Sequence, residues 1–374
     1  MIDIRAEYIA EYDKKELERR REQIRRAWNY EKVEHIPIAL SLDYNPFGYT
    51  MHDILYNHDK QFELRMYSCE QSLKLLPDDY IPCAFVDVGC VGVSNAFGAQ
   101  VYKGENPQQT PGIRGRVFAS IEETYDLKIP DMRNTGFSKY YLERLKYFYE
   151  RTGGCVYLSG MDNNGAMSVA MDLIGSEELF ISMVEEPEAV THLLDIINQA
   201  IMEETDAAIE IVGDINNMTS TDFFFRWCPE GRKGHTSADL CTAYSPEMFR
   251  QFDIPANRKI YDRYGAGLMH NCGPNPCIAE YCNQHKDFAG VNLAYQYSSV
   301  DLENIRKYFP GKIVYFSYDF PEKAIEQYRE TMEALAPEVI AIPLIMLSDE
   351  KVNAGEYYNE LLKISTEYAH RVFG

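Results

Sequence analysis

Eight short apolar runs recur along the chain, and most are separated by a segment with helical periodicity. Residues 187–211 are one such segment, with apolar positions at i, i+3, i+4 and i+7 spacing. Strands that alternate with helices pair in parallel through right-handed crossovers, and eight such units favour a closed barrel. We therefore predict an α/β fold, a single (β/α)₈ barrel, with an open doubly wound sheet as the alternative. The runs begin at Ile36, Ile81, Cys155, Met218, Ala266, Gly290, Lys312 and Val339.

The start of the chain has a different character from the rest. Residues 5–29 suit an amphipathic helix with many Glu, Lys and Arg. We predict that residues 1–30 form an N-terminal helical extension and residues 31–374 form the barrel. No Gly-rich phosphate loop, internal repeat or low-complexity linker in the sequence marks another domain. The segment 89–134, rich in Gly, Pro and Gln, is predicted to be an insertion that covers the catalytic mouth of the barrel.

The net charge of the chain restricts the kinds of molecule that it is expected to bind. The chain has 37 Lys and Arg against 58 Asp and Glu, a formal net charge of −21. Phosphate binding needs clustered basic residues, so this balance argues against nucleic acid and anionic membranes and favours a small-molecule substrate. No apolar run reaches the roughly 18–20 residues of a membrane span, and the first residues form a charged helix instead of a signal peptide. The nine cysteines are an odd number spread along the chain, which predicts reduced thiols and a cytoplasmic protein.

Reactive groups in such barrels lie at the carboxyl ends of the strands. The strongest candidates are His270 and Cys272, because residues i and i+2 of a strand point to the same side and could bind one ion together. Zinc accepts both nitrogen and sulfur ligands but needs a third protein ligand in a catalytic site. Cys277 is the nearest candidate, with Asp239, Asp162 and Glu280 as alternatives. The competing interpretation is a hydrogen-bonded interior histidine and a packed thiol.

Five segments in order along the chain carry a resemblance to a known family. They are 76–99, 160–179, 185–201, 236–255 (TSADLCTAYSPEMFRQFDIP) and 267–282 (GLMHNCGPNPCIAEYC). Together they resemble the uroporphyrinogen decarboxylase-like superfamily, which includes zinc methyltransferases that move methyl groups between corrinoid proteins and thiols. The likeness covers about residues 30–372. It implies a (β/α)₈ barrel and zinc ligation at His270 and Cys272.

Two departures from that pattern affect the expected activity. The true decarboxylases have an Arg-rich loop after the first strand, but here the corresponding stretch SLDYNPFGYTMHD contains no Arg, so decarboxylation of uroporphyrinogen is not expected. The zinc methyltransferases place a third ligand, a cysteine, near the last strand, and here the stretch VIAIPLIMLSDE contains none. The resemblance therefore leaves either a different third ligand or no metal.

The first functional hypothesis is a zinc-dependent methyltransferase that works with a corrinoid protein or a methylated small molecule and passes the methyl group to a thiol or cofactor. In it, Asp162 or Asp239 holds the substrate or acts as a general base, and Asp87 and Tyr295 are candidate cofactor contacts at strand ends. A metal-free lyase or hydrolase would instead use Asp87 and Asp162, with His270 as acid or base. A third hypothesis is a corrinoid- or tetrapyrrole-binding protein without turnover. Each of the three hypotheses is compatible with a homodimer.

Overall fold

The computed structural model describes residues 3–374 and contains one barrel of parallel strands surrounded by helices. Within these residues there are ten strands, which we number along the chain. They are β1 (Ala39–Leu42), β2 (Cys83–Ala84), β3 (Gln100–Tyr102), β4 (Gly112–Arg114), β5 (Tyr157–Leu158), β6 (Gly234–Ser237), β7 (Ala266–Asn271), β8 (Gly290–Ala294), β9 (Ile313–Ser317) and β10 (Ile340–Leu347).

Eight of the ten strands form the barrel. Six pair in parallel in the order β1-β10-β9-β8-β7-β6, and β2 pairs in parallel with β5. The gap between β5 and β6 is bridged by residues 218–221: Met218 pairs with Leu158, and the Thr221 amide donates to the Lys233 carbonyl. The remaining strands, β3 and β4, form an antiparallel hairpin outside the barrel. The predicted (β/α)₈ class is confirmed.

Seven of the eight apolar runs contain a barrel strand, and one does not. The run that begins at Met218 makes a single parallel bridge, whereas the strand position beside β7 belongs to β6. The sequence of β6 is Gly-His-Thr-Ser, which has no apolar run to reveal it although all four residues are buried. The strand prediction at 218 was therefore wrong by about sixteen residues.

The chain between residues 222 and 233, which we call the inner segment, passes through the barrel interior. Phe224 is 1% exposed and its ring lies 5.4 Å from that of His235 and 5.1 Å from that of Tyr315. Arg226, two residues later, reaches Ser41 on β1, on another side of the barrel. The inner segment therefore fills part of the space that side chains of the strands alone would occupy in a simpler barrel.

Helices surround the sheet and account for most of the remaining chain. They are α1 (Ile4–Glu11), α2 (Lys14–Trp28), α3 (Met51–Tyr56), α4 (His58–Leu75), α5 (Gly92–Ala96), α6 (Gly136–Thr152), α7 (Ala166–Ile174), α8 (Ser176–Glu185), α9 (Pro187–Val212), α10 (Pro246–Met248), α11 (Ile254–Tyr264), α12 (Tyr295–Ser298), α13 (Leu302–Tyr308), α14 (Pro321–Leu335) and α15 (Ala354–Phe373). A π-helical turn, Phe249–Asp253, joins α10 to α11. No helix within residues 3–374 is long and apolar enough to cross a membrane.

The N-terminal extension is two helices where the sequence predicted one. The break falls at Asp13, whose carboxylate accepts hydrogen bonds from the amides of Lys15 and Glu16 and so caps the start of α2. The Trp28 indole at the end of α2 donates to the Tyr315 hydroxyl on β9 at 3.0 Å. The extension is therefore anchored directly to a barrel strand.

The segment 89–134 comes after β2 and includes α5 and the β3–β4 hairpin. Gly92 lies against Met161, which comes after β5, and a Cβ atom there would stand 2.4 Å from the Met161 sulfur. The segment thus lies at the carboxyl ends of β2 and β5. Its role as a cover of the catalytic mouth stays a prediction.

Candidate metal centre and substrate cleft

A cleft of about 250 Å³ opens at the carboxyl ends of β7 to β10. Its walls come from two sources. The strands supply His270, Asn292 and Ser317, and the inner segment supplies a wall of phenylalanine rings and Arg226. Because the carboxyl ends of barrel strands are where barrel enzymes carry their reactive groups, this cleft is the candidate active site.

Asp239, His270 and Cys272 meet at the edge of this cleft. Their candidate ligand atoms, a carboxylate oxygen, an imidazole nitrogen and a sulfur, all lie within 4.8 Å of one another. Nε2 of His270 is 3.7 Å from Oδ1 of Asp239. Strand pairing explains this proximity. Ser237 of β6 is in register with His270 of β7, and Asp239 follows Ser237 by two residues.

The His270 imidazole is held in one orientation by Asn292. Nδ1 of His270 is 2.7 Å from the side-chain oxygen of Asn292. The side-chain nitrogen of Asn292 donates to the Tyr315 carbonyl at 3.1 Å and the Ser317 hydroxyl at 3.2 Å, so its oxygen must be the acceptor. Nδ1 therefore carries the proton, and the lone pair on Nε2 faces Asp239. A metal-binding histidine is oriented by a second hydrogen bond of this kind.

Asp239 links the two other members of the group. Its Oδ1 accepts a hydrogen bond of 2.7 Å from the Cys272 amide, and its Oδ2 accepts one of 3.2 Å from the Ser237 hydroxyl. Reduced hydration around the sulfur and the nearby Asp239 carboxylate raise the pKa of the Cys272 thiol to about 12. A thiolate beside a carboxylate is favourable only when a cation lies between them.

These donors fit a zinc ion. Zinc bonds of about 2.0–2.2 Å to nitrogen and oxygen set those two ligand atoms about 3.3–3.6 Å apart around a tetrahedral ion. Nε2 of His270 and Oδ1 of Asp239 are 3.7 Å apart, so a small inward shift would bring both to bonding distance. Nitrogen, sulfur and oxygen donors together suit zinc, and three protein ligands leave a fourth position for substrate.

Cys277 and Glu280, two of the proposed third ligands, lie elsewhere. The Cys277 thiol is fully buried and donates to the carbonyls of Cys241 at 3.6 Å and Tyr244 at 3.5 Å. The turn that begins at Gly273 directs it into the core behind β7. Glu280 binds Arg250. The structure therefore brings Asp239, and not Cys277, to His270 and Cys272.

Asp162 and Asp87 belong to a group of carboxylates beside the candidate metal centre. Burial, with the nearby carboxylates of Asp222, Asp87 and Asp239, raises the pKa of Asp162 well above its usual value. Burial also raises the pKa of Asp87, against the opposing effect of a 2.8 Å hydrogen bond from the Gly89 amide. The direction of this shift favours the protonated form of Asp162 over its carboxylate.

Tyr295, the other predicted cofactor contact, is turned away from the cleft. It is 6% exposed, and its hydroxyl donates to Glu330 on α14 at 2.9 Å. Its ring packs on Tyr318 with 5.0 Å between centroids. These contacts give it a structural place between β8 and the outer helices.

The sequence did not predict that Asp222 and His235 form a buried pair next to the candidate metal centre. Oδ2 of Asp222 is 3.5 Å from Nδ1 of His235, and within residues 3–374 neither this oxygen nor either ring nitrogen has a hydrogen-bond partner. Burial lowers the pKa of His235, against the effect of Asp222. Asp222 also accepts from the Asn163 amide at 3.1 Å, next to Asp162.

The chain resembles known proteins in its fold and in its family pattern. A methyltransferase from Methanosarcina mazei superposes with a TM-score of 0.63 at 16% identity, covering 92% of this chain and 97% of that one. An uronate isomerase from Bacillus halodurans gives a TM-score of 0.30 at 12% identity, over 94% of this chain and 88% of its own, which is too low to support an argument. No curated protein matched the chain. The family model for uroporphyrinogen decarboxylase (URO-D) matches residues 20–221, more than half of the chain. The chain therefore belongs to the uroporphyrinogen decarboxylase family.

Proposed function

We propose that this chain is a zinc-assisted methyltransferase of the uroporphyrinogen decarboxylase family. The observation that carries the proposal is the convergence of Asp239, His270 and Cys272, with the imidazole fixed by Asn292. The fold is also shared with the M. mazei methyltransferase. Fold alone does not assign a reaction, so the donor set is the stronger support.

The three donors would hold the ion, and the ion would supply Lewis acidity that activates a thiol or polarises the heteroatom carrying the methyl group. Asn292 keeps His270 in the tautomer that offers Nε2. Asp162, whose raised pKa favours the protonated form, would give a proton to a leaving heteroatom or hold substrate. The methyl donor in this proposal is a corrinoid protein or a methylated small molecule.

Two observations weigh against the alternatives. A cleft of about 250 Å³ is below the roughly 300–1,000 Å³ of sites for drug-sized ligands, which disfavours a whole tetrapyrrole or corrin bound inside it. A corrinoid donor would instead have to present its methyl group from outside the mouth of the cleft. The metal-free lyase or hydrolase would use Asp87 and Asp162. Asp87 and Asp162 both lie near the cleft, but that reaction would give no role to the Asp239–His270–Cys272 group.

Metal analysis tests the proposal directly. We expect about one zinc per chain in protein purified without chelator. His270→Ala and Asp239→Ala should lose most of it, whereas Cys277→Ser, a matched change in a packed thiol, should retain it. Zinc-loaded protein should demethylate methylcobalamin in the presence of small thiols, followed by the change in its absorption spectrum.

The results that would contradict the proposal are equally plain. Zinc that stays at wild-type stoichiometry in His270→Ala would show that the ion binds elsewhere. Loss of zinc from Cys277→Ser with normal folding would restore Cys277 as a ligand. Wild-type protein without bindable zinc would leave the carboxylate mechanism as the better explanation.

A further inference from the structure

Arg226 is a buried cation in the wall of the cleft. It belongs to the inner segment, is 9% exposed, and lines the same cleft as His270 and Asn292. It also borders a small cavity of about 30 Å³ on the other side, among Ile38, Tyr80 and other core residues. Nothing in the zinc-assisted reaction proposed above uses this guanidinium.

The hydrogen bonds of Arg226 leave its charge unpaired. One Nη2–H donates to the Ser41 hydroxyl at 2.8 Å, and one Nη1–H donates to the Phe225 carbonyl at 3.2 Å. Nε has no hydrogen-bond partner within residues 3–374. The nearby Asp43 is bound to Arg65 at 3.3 Å, and no carboxylate of the described chain forms an ion pair with Arg226.

An unpaired buried charge is costly. Removing a cation from water without a counter-ion carries a large free-energy cost, and both partners found here are neutral. The centroid of the Phe225 ring lies 4.3 Å from the guanidinium carbon, and this cation–π contact offsets only part of that cost. An arginine stays protonated in such a place because its intrinsic pKa is so high. An anion in the cleft would therefore meet a donor that is already fixed in position and poorly hydrated.

The rest of the cleft wall indicates what that anion is attached to. Phe223 and Phe225 line it, and the Phe225 ring stacks on Phe85 at 5.8 Å with 14° between their planes. Such a wall favours a flat apolar body. The volume of about 250 Å³ limits that body to a small molecule.

Carboxylate suits the site better than phosphate. One guanidinium neutralises one carboxylate in a bidentate pair, whereas a phosphate monoester carries about −1.5 to −2 charges. Among the described residues, Arg226 is the one Lys or Arg that lines the cleft, and Asp319 lines it as well. A second negative charge on the ligand would therefore find no second guanidinium or ammonium group beside Arg226.

We propose that Arg226 binds a carboxylate of the substrate, so that the substrate is a small organic carboxylic acid with a flat apolar body. The proposal rests on the proposed function in one respect, that this cleft is the substrate site. The carboxylate would fix one end of the molecule against the inner segment, and its reacting heteroatom would then face the wall that holds His270.

Titration calorimetry with benzoate and its neutral analogue benzamide tests this. Wild-type protein with its zinc should bind benzoate at least about tenfold more tightly than benzamide, because a buried charged pair is lost in the amide. Arg226→Met should abolish that preference by weakening benzoate and leaving benzamide within about twofold. Arg133→Met, which removes the same charge at an exposed position bound to Glu210, should bind both as the wild type does.

Several outcomes would overturn the proposal. Equal binding of benzoate and benzamide by the wild type would do so without any variant, which keeps the test valid even if Arg226→Met fails to fold. Unchanged benzoate affinity in a folded Arg226→Met would show that the carboxylate binds elsewhere, for example at the metal. Tighter binding of phenyl phosphate than of benzoate would assign the site to phosphate.

The zinc content of each variant separates this proposal from the proposed function. Arg226→Met should keep wild-type zinc. If the wild type fails to bind zinc but still prefers benzoate to benzamide, the methyltransferase proposal is wrong while the proposed substrate class stands. If the wild type binds zinc but does not prefer benzoate, only the proposed substrate class is rejected.

Discussion

Glu204 should make the stability of the folded chain fall as pH rises. This residue lies on α9, is 1% exposed, and its Oε1 has no hydrogen-bond partner within residues 3–374. Burial, with smaller contributions from the carboxylates of Asp222 and Asp206, raises the pKa of Glu204 to about 8. The carboxyl group is therefore protonated in the folded protein at neutral pH. Glu204→Gln replaces it with a group of the same shape that does not titrate.

The sign and size of the effect are set by linkage. The folded pKa lies above the unfolded value of 4.5, so between these two values the unfolded chain has lost its proton while the folded chain keeps it. Stability from this group is complete below about pH 4.5 and is lost as pH rises through about 8. The limiting slope is about 1.4 kcal/mol per pH unit, which gives a loss of about 2 kcal/mol from about pH 6 to about pH 8.

Urea unfolding followed by circular dichroism at several pH values measures this loss. The free energy of unfolding of Glu204→Gln should fall less steeply than that of the wild type, by about 2 kcal/mol over that interval. The difference between the two curves isolates Glu204 from other raised carboxyls such as Asp253, whose pKa burial raises to about 7. Glu203→Gln, on the exposed side of the same helix, should follow the wild-type curve.

The decisive quantity is the slope of the free energy of unfolding against pH. A buried amide could shift the stability of Glu204→Gln by a constant amount at every pH, and that would not bear on the argument. Parallel curves for the variant and the wild type would show that Glu204 is ionised in the folded protein. A steeper curve for the variant would reverse the sign of the reasoning.

Three further substitutions test other parts of the structure. Asn292→Leu should lower zinc affinity about 10- to 100-fold in competition with a chromophoric chelator, because His270 loses the bond that orients it; unchanged affinity would refute that role. Gly290→Ala should destabilise the chain by several kcal/mol in urea unfolding, because the added Cβ would stand 1.8 Å from a backbone oxygen of β9. The control Gly112→Ala should not destabilise it, because no atom lies within 4 Å of the position of its Cβ. Phe224→Ala should cost about 3–5 kcal/mol by the same measurement, and a loss below about 1 kcal/mol would mean that the inner segment is not packed as described.

The barrel could be predicted because strands buried on both faces appear as continuous apolar runs. The run at β10, Ile340–Leu347, shows this directly, with seven of its eight residues buried. The same rule fails for β6, whose buried side chains are polar. The backbone amide of His235 donates to the Thr221 hydroxyl, and the hydroxyls of Thr236 and Tyr261 share a hydrogen bond. A propensity argument cannot anticipate partners that are distant in sequence.

At the candidate metal centre, the spacing of residues along the chain decided which proximities could be predicted from the sequence. His270 and Cys272 could be paired from the sequence because they lie on one strand at i and i+2 spacing. Asp239 could not be placed beside them without knowing that β6 is the neighbour of β7. Cys277 is closer in sequence, but the turn after Cys272 takes its thiol behind the strand, and only three-dimensional structure shows that.

The inner segment has a consequence for how the cleft could change. Its residues 223–226 line the cleft but belong to no strand. They therefore make none of the backbone hydrogen bonds between strands that hold the barrel closed. Changes of size or charge at Phe223, Phe225 or Arg226 could therefore reshape ligand preference while strand register and the candidate metal ligands stay as they are. Relatives that share this segment could differ in substrate through a few adjacent codons, and a library limited to these positions would sample specificity without altering the pairing of the strands.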